Sequence, residues 1–317
     1  MKIIHIGLPK TGTTFLQNNI FPSICKIKNI NYGKFNEEIS EKVKNHVISM
    51  YFNDQVSKIN LPDKILVSNE NLLCNFPTFT KIEEYADKNL VAFGKDCKIV
   101  ITIRHPVEYL SSVYNQVLKS HITEPEFFFL EKNVYSKNFS SPWFSLDDYN
   151  LSKIIKIYKD RFDQVITIKF EEIIDNSFLK KYFEIDSALI NKNDYKNSAK
   201  SLNRGFSKKS VSILLSTQKI LNKLGYSLNS SRYHEVLIKI KRQNNFSNNI
   251  KENIILKKEE KKNILRKIFK IIISNINIRS FLKNKMDKYF FKEKFVLDFK
   301  KLNYINLENL INDYKNL

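Results

Sequence analysis

Glycine, proline and cysteine are all scarce in this chain of 317 residues, at 6, 7 and 3 respectively. That scarcity excludes collagen-like and Pro/Gly-rich low-complexity architectures and gives each such residue more weight. The cysteines, Cys25, Cys74 and Cys97, are odd in number and show no CxxC or metal-like spacing. A full disulfide framework is therefore excluded and buried reduced thiols are expected. No metal-ligand cluster is visible, so no metal is expected. Any run of about 18 apolar residues is also missing, so no membrane-spanning helix is expected. The opening MKIIHIGLPK carries an apolar run that is too short for a signal peptide and breaks at Pro9. A cytoplasmic location is the expectation.

Hydrophobic residues, at 42% with 13% aromatic, suffice for a well-packed core and argue against wholesale disorder. The length suits one large α/β domain, or a domain with a long appendage. The net charge of +20 is uneven. Residues 201–300 hold 24 Lys and Arg against 7 Asp and Glu, a balance of +17, which leaves +3 for the rest. Such a surface attracts acidic glycans, anionic lipid or nucleic acid. The same excess is also what a Lys-, Asn- and Ile-rich composition places on any surface.

Residues 2–6, KIIHI, read as a short buried strand, followed by the turn GLPKTGTT and a helix opening at TFLQNNIF. Strand, glycine-bearing loop and helix are how a nucleotide-binding α/β domain begins. Further strands are expected at 64–70 (KILVSNE), 97–104 (CKIVITIR) and 164–170 (QVITIKF). All are nearly continuous Ile/Val runs, the pattern of parallel strands covered on both faces. Pro106 suits a first helical turn and starts VEYLSSVYNQVLK; a second amphipathic helix is expected over 149–162. The fold class is thus α/β, three layers around a central parallel sheet with a phosphate-binding loop, plus a mainly helical basic C-terminal region. A catalytic core at 1–215 and a Lys-rich extension at 216–317 are the expected division.

Gly7-Leu8-Pro9-Lys10-Thr11-Gly12-Thr13-Thr14 carries most information. A loop between strand and helix turns backbone N–H groups inward, and the helix terminus adds partial positive charge, so an anion can sit there. A nucleoside-triphosphatase loop reads GxxxxGK[ST]. Here Gly7 and Gly12 keep that spacing, but Thr13 stands where the lysine belongs and the lysine has moved to Lys10. This departure counts against ATP or GTP hydrolysis. PKTGTT resembles instead the 5′-phosphosulfate loop of sulfotransferases that use 3′-phosphoadenosine 5′-phosphosulfate (PAPS). Arg104-His105-Pro106, with Ser112 eight residues beyond Arg104 and Tyr114 two further on, resembles the 3′-phosphate-binding segment of the same family. An arginine at a strand's carboxyl end faces the ligand crevice of an open α/β sheet, and its planar fork suits a phosphate.

More loosely, SPWFSLDDYNLSKIIKIYKDRFDQVITIKFEE resembles the middle of bacterial members, ending in the acidic pair Glu171-Glu172. Ser201–Ser207 resembles the downstream loop that closes over the nucleotide, which makes Arg204, Lys208 and Lys209 candidate 3′-phosphate contacts. The resemblance covers roughly residues 1–210. It implies PAPS as donor, 3′-phosphoadenosine 5′-phosphate (PAP) as product, and a carbohydrate or other hydroxyl or amine acceptor. It also implies roles. Lys10 stabilises the leaving phosphate; Pro9, Thr11, Gly12, Thr13 and Thr14 anchor it; Glu70 at the end of the second strand is the base. His5 and His105 read as structural, while His46 and His121 stand as alternative bases. Phe127, Phe128, Phe129, Tyr135, Phe139, Trp143 and Phe144 form either an aromatic platform for sugar or lipid or a hydrophobic core. ILRKIFKIIISNI mixes basic and apolar residues and could rest on anionic membrane. The competing readings are a small-molecule kinase needing ATP and Mg²⁺, and a non-catalytic polyanion or nucleic-acid binder resting on the +17 segment alone; nucleic acid is not the expected partner.

Overall fold

The computed structural model describes residues 1–119 except positions 53, 75, 77, 78 and 80, then 125–130, 144–145, 149–190, 205–223, 282, 286–287, 293–299, 302 and 306–317. Most of the expected basic extension, with His121, Tyr135, Phe139, Trp143 and Arg204, lies outside the described residues.

Five parallel strands form the sheet: β1 (Lys2–His5), β2 (Asn31–Tyr32), β3 (Ile65–Ser68), β4 (Lys98–Ile103) and β7 (Gln164–Lys169), in the order β2-β3-β1-β4-β7. A separate pair joins β5 (Phe129–Leu130) to β6 (Phe144–Ser145). The four expected long strands are all present, one to three residues shorter than the apolar runs. β2 is an addition: two residues at the sheet edge, with no apolar run to announce them. β1 lies in the centre, with His5 opposite Ser68 on one side and opposite Val100 on the other. The Ile and Val residues of β1, β3 and β4 are almost wholly buried. Each fully buried aliphatic side chain contributes roughly 1.5–3 kcal/mol.

The chain leaves β1 toward β3 on one side and returns to β4 on the other. The loops after these strands therefore part around a crevice at their carboxyl ends, where open α/β sheets bind ligands. The loop after β1 runs into consecutive helical segments Thr13–Phe15, Leu16–Ile20 and Phe21–Lys28, the middle one π-helical. β3 ends in the 3₁₀ turn Glu70–Leu72, β4 leads into the helix Pro106–Val117, and β7 into Phe170–Asp175. The helix Leu151–Lys159 is capped by Asn150, which accepts from the Lys153 N–H at 2.7 Å.

By contacts the chain divides into two units. One comprises 1–110, 129–204 and 298–317, and the other 111–128 and 205–297. The first holds the sheet, and its last helix, Leu307–Lys315, packs on Leu151–Lys159 with Asp313 accepting from Ser152 N–H at 3.1 Å. In the second, the Asn115 amide donates to the Phe206 carbonyl (3.0 Å) and accepts from its N–H (2.7 Å). The helix Lys208–Lys223 of that unit runs through residue 215, the expected boundary. The three cysteines are buried free thiols. Among the described residues no helix is long and apolar enough to cross a membrane.

Candidate functional site

The loop after β1 is shaped by two left-handed residues, Lys10 (φ 72°) and Gly12 (φ 87°), flanking Thr11. Left-handed residues among ordinary ones turn successive N–H groups to one side and make an anion-binding concavity. For a lysine this conformation is strained by about 1–2 kcal/mol. The Arg104 Nη1–H holds it, donating to the Lys10 carbonyl at 3.3 Å. Gly12 is favoured on two counts. Its φ favours glycine, and a Cβ there would stand 3.0 Å from Cε2 of Phe170.

Phe170, the first residue after β7, thus forms the floor of the loop. The Arg104 guanidinium stacks on the same ring, its Cζ 4.4 Å from the centroid. Arg104 also grips Glu108, one turn along the next helix, through Nε (3.1 Å) and Nη2 (2.5 Å). Among the described residues three of its five N–H groups are engaged, and its side chain is 13% exposed. Neither Phe170 nor Glu108 was singled out from sequence. The i,i+4 spacing in RHPVE was a signal for Glu108, and the position of Phe170 at a strand's carboxyl end was one for the floor.

The threonines of the loop face different ways. The Thr11 hydroxyl is fully buried, donates to the Leu8 carbonyl at 2.5 Å and lies 2.6 Å from Thr102 Oγ1. It is turned away from the loop mouth, and its one hydrogen is committed to Leu8. The Thr13 hydroxyl donates to Glu70 Oε2. Thr14 is exposed and Pro9 is buried. Glu70 is thereby tied to the loop from the neighbouring strand end, on a turn capped by the Asn69 side chain, which accepts from the Asn71 N–H at 3.0 Å.

The structure thus brings Pro9–Thr14, Glu70 and Arg104 together in the first unit. Ser112 lies on the helix after Arg104 but belongs to the second unit, as do Lys208, paired with Glu293 at 3.2 Å, and Lys209. His5 is buried in β1, and desolvation pushes its pKa down to about 3, so it is a neutral core imidazole. His46 is buried against Asn89 at 2.9 Å, with its pKa also lowered by burial; its helix Glu37–Phe52 packs on Ile82–Phe93. The ring of His105 meets Tyr314 edge-on at 5.6 Å. Tyr314 also donates to Glu171, and Glu172 caps its own helix by accepting from Lys169 N–H at 2.8 Å. The acidic pair is thus structural. Phe128, Phe129 and Phe144 are fully buried, which makes them core. No group of three or more His, Cys, Asp or Glu suited to a metal occurs among the described residues.

The family model described as "Sulfotransferase domain" matches residues 1–179, more than half of the chain and all of the sheet. No curated protein and no solved structure matches the chain.

Proposed function

Because the chain belongs to the sulfotransferase family, we propose that it takes the sulfuryl group of PAPS and transfers it to a hydroxyl or amine of a carbohydrate acceptor. One observation carries the reading: Glu70, the candidate base, is hydrogen-bonded through Thr13 to the loop suited to the donor's anionic end. The loop residues fit such a group. The left-handed turns at Lys10 and Gly12 open a backbone concavity, and a Cβ at Gly12 would stand only 3.0 Å from the Phe170 ring.

In the reaction the acceptor oxygen or nitrogen bonds to sulfur, the bond from sulfur to the bridging phosphate oxygen breaks, and PAP leaves with that electron pair. Lys10 supplies positive charge to the departing 5′-phosphate. Preorganised charge of this kind lowers the barrier more than it strengthens ground-state binding. Arg104, at the end of β4, offers its planar guanidinium to the 3′-phosphate. Glu70 removes the acceptor proton. The carbohydrate acceptor rests on the resemblance to carbohydrate-type members, and contact with anionic glycan or membrane rests on the +17 segment.

The test is Lys10→Ala, assayed by transfer of labelled sulfate from PAPS to a panel of glycans. A fall in turnover of about a hundredfold or more is expected. Near-normal turnover removes Lys10 from the leaving-group role.

A further inference from the structure

Under the phosphate loop runs an unbroken chain of hydrogen bonds across β3, β1 and β4. Gln17 Nε2 donates to Ser68 Oγ (3.1 Å), and Ser68 Oγ lies 2.7 Å from His5 Nδ1. His5 Nε2 lies 3.4 Å from Thr102 Oγ1, which lies 2.6 Å from Thr11 Oγ1, and Thr11 donates to the Leu8 carbonyl at 2.5 Å.

The carbonyl end fixes the direction of every link. A carbonyl only accepts, so the single hydroxyl hydrogen of Thr11 goes to Leu8 and Thr11 must accept from Thr102. Thr102 then has no hydrogen for His5 and accepts from Nε2–H. The neutral imidazole presents its Nδ1 lone pair to Ser68, whose hydrogen goes there, and Ser68 accepts from Gln17. One proton order satisfies all five links, with His5 as the Nε2–H tautomer. Aligned chains of this kind polarise and reinforce one another. His5 and Thr102 are both fully buried, and desolvation keeps the imidazole neutral. The loop backbone passes directly over their link. A Cβ at Gly7 would stand 2.5 Å from Thr102 Oγ1 and 2.7 Å from His5 Nε2.

We propose that His5 is a positioning residue for the donor site. Through Thr102 it fixes Thr11 and the start of the phosphate loop, and through Ser68 it fixes Gln17 and the strand end that carries Glu70. The role rests on the reading of Gly7–Thr14 as the donor loop. It explains why the Thr11 hydroxyl is turned inward, and it gives a function to a histidine that touches no reactant.

Three variants test it: His5→Gln, His5→Asn and Thr102→Val. A glutamine amide reaches the place of Nε2 and can still donate to Thr102. An asparagine oxygen reaches the place of Nδ1 and serves only Ser68. Valine keeps the shape of Thr102 without its hydroxyl. Two readouts are used: calorimetric titration with PAP, and amide hydrogen exchange over residues 10–14 without nucleotide. His5→Gln is expected to stay near the parent in both. His5→Asn and Thr102→Val are expected to bind PAP about fivefold more weakly, the scale of one net hydrogen bond, and to exchange faster in the loop. Equal behaviour of His5→Gln and His5→Asn, or an unperturbed Thr102→Val, overturns the proposal. If the parent itself does not bind PAP, the donor reading falls, and the exchange data alone decide whether the relay orders the loop.

Discussion

Glu70 accepts a hydrogen bond from the Thr13 hydroxyl across 57 residues of sequence, joining the end of one strand to the loop after another. The bond places a carboxylate beside the loop suited to the sulfuryl donor, where an acceptor proton has to be removed. Glutamine in its place keeps an oxygen that accepts from Thr13 but cannot take a proton at neutral pH. Glu70→Gln is therefore expected to leave PAP affinity nearly unchanged while lowering kcat by about a hundredfold or more, the lower range for loss of general-base catalysis. Unchanged kcat in a steady-state transfer assay sends the search for a base elsewhere.

Arg104 performs three tasks at once: it bonds to the Lys10 carbonyl, pairs with Glu108 and stacks on Phe170. An ammonium group has neither the planar face nor the fork to do all three. Arg104→Lys is expected to lose about tenfold or more in PAP affinity, approaching Arg104→Ala, although the charge is retained. Full affinity in the lysine variant, read by calorimetry, reduces Arg104 to a point charge.

The four long strands and the phosphate loop were legible in the sequence for physical reasons. Central parallel strands must be apolar on both faces, so they appear as Ile/Val runs, and the loop signature is local to eight residues. The remainder of the site depends on register. His5 meets Ser68 only because β1 and β3 pair as they do, and Thr102 reaches Thr11 only because β4 lies on the other side. Nothing near Thr11 in sequence signals that its hydroxyl points inward. Phe170 becomes the floor under Gly12 and Arg104 through a contact spanning more than 150 positions in the first case. The edge strand Asn31–Tyr32 is too short for any periodicity to show.

Acid should destabilise the fold through His5. Its folded-state pKa of about 3 lies below the ordinary histidine value of 6.5, because burial opposes the charged ring. The unfolded chain therefore takes up a proton below about pH 6.5 that the folded protein refuses, so stability is present above that pH and is lost as pH falls toward 3. Between pH 7 and pH 5 the His5 contribution lost is about 2 kcal/mol. Burial of His46 acts in the same direction. Urea unfolding at the two pH values should show His5→Gln losing less stability than the parent by about that amount. Parallel losses in parent and variant contradict a neutral His5.

The most direct test of the central reading is a pair of calorimetric titrations on the intact protein, one with PAP and one with ATP and Mg²⁺. The expected result is tight binding of PAP, weakened by Arg104→Ala, with ATP and Mg²⁺ far weaker. Preference for ATP and Mg²⁺, or PAP affinity indifferent to Arg104, contradicts a PAPS-dependent sulfotransferase.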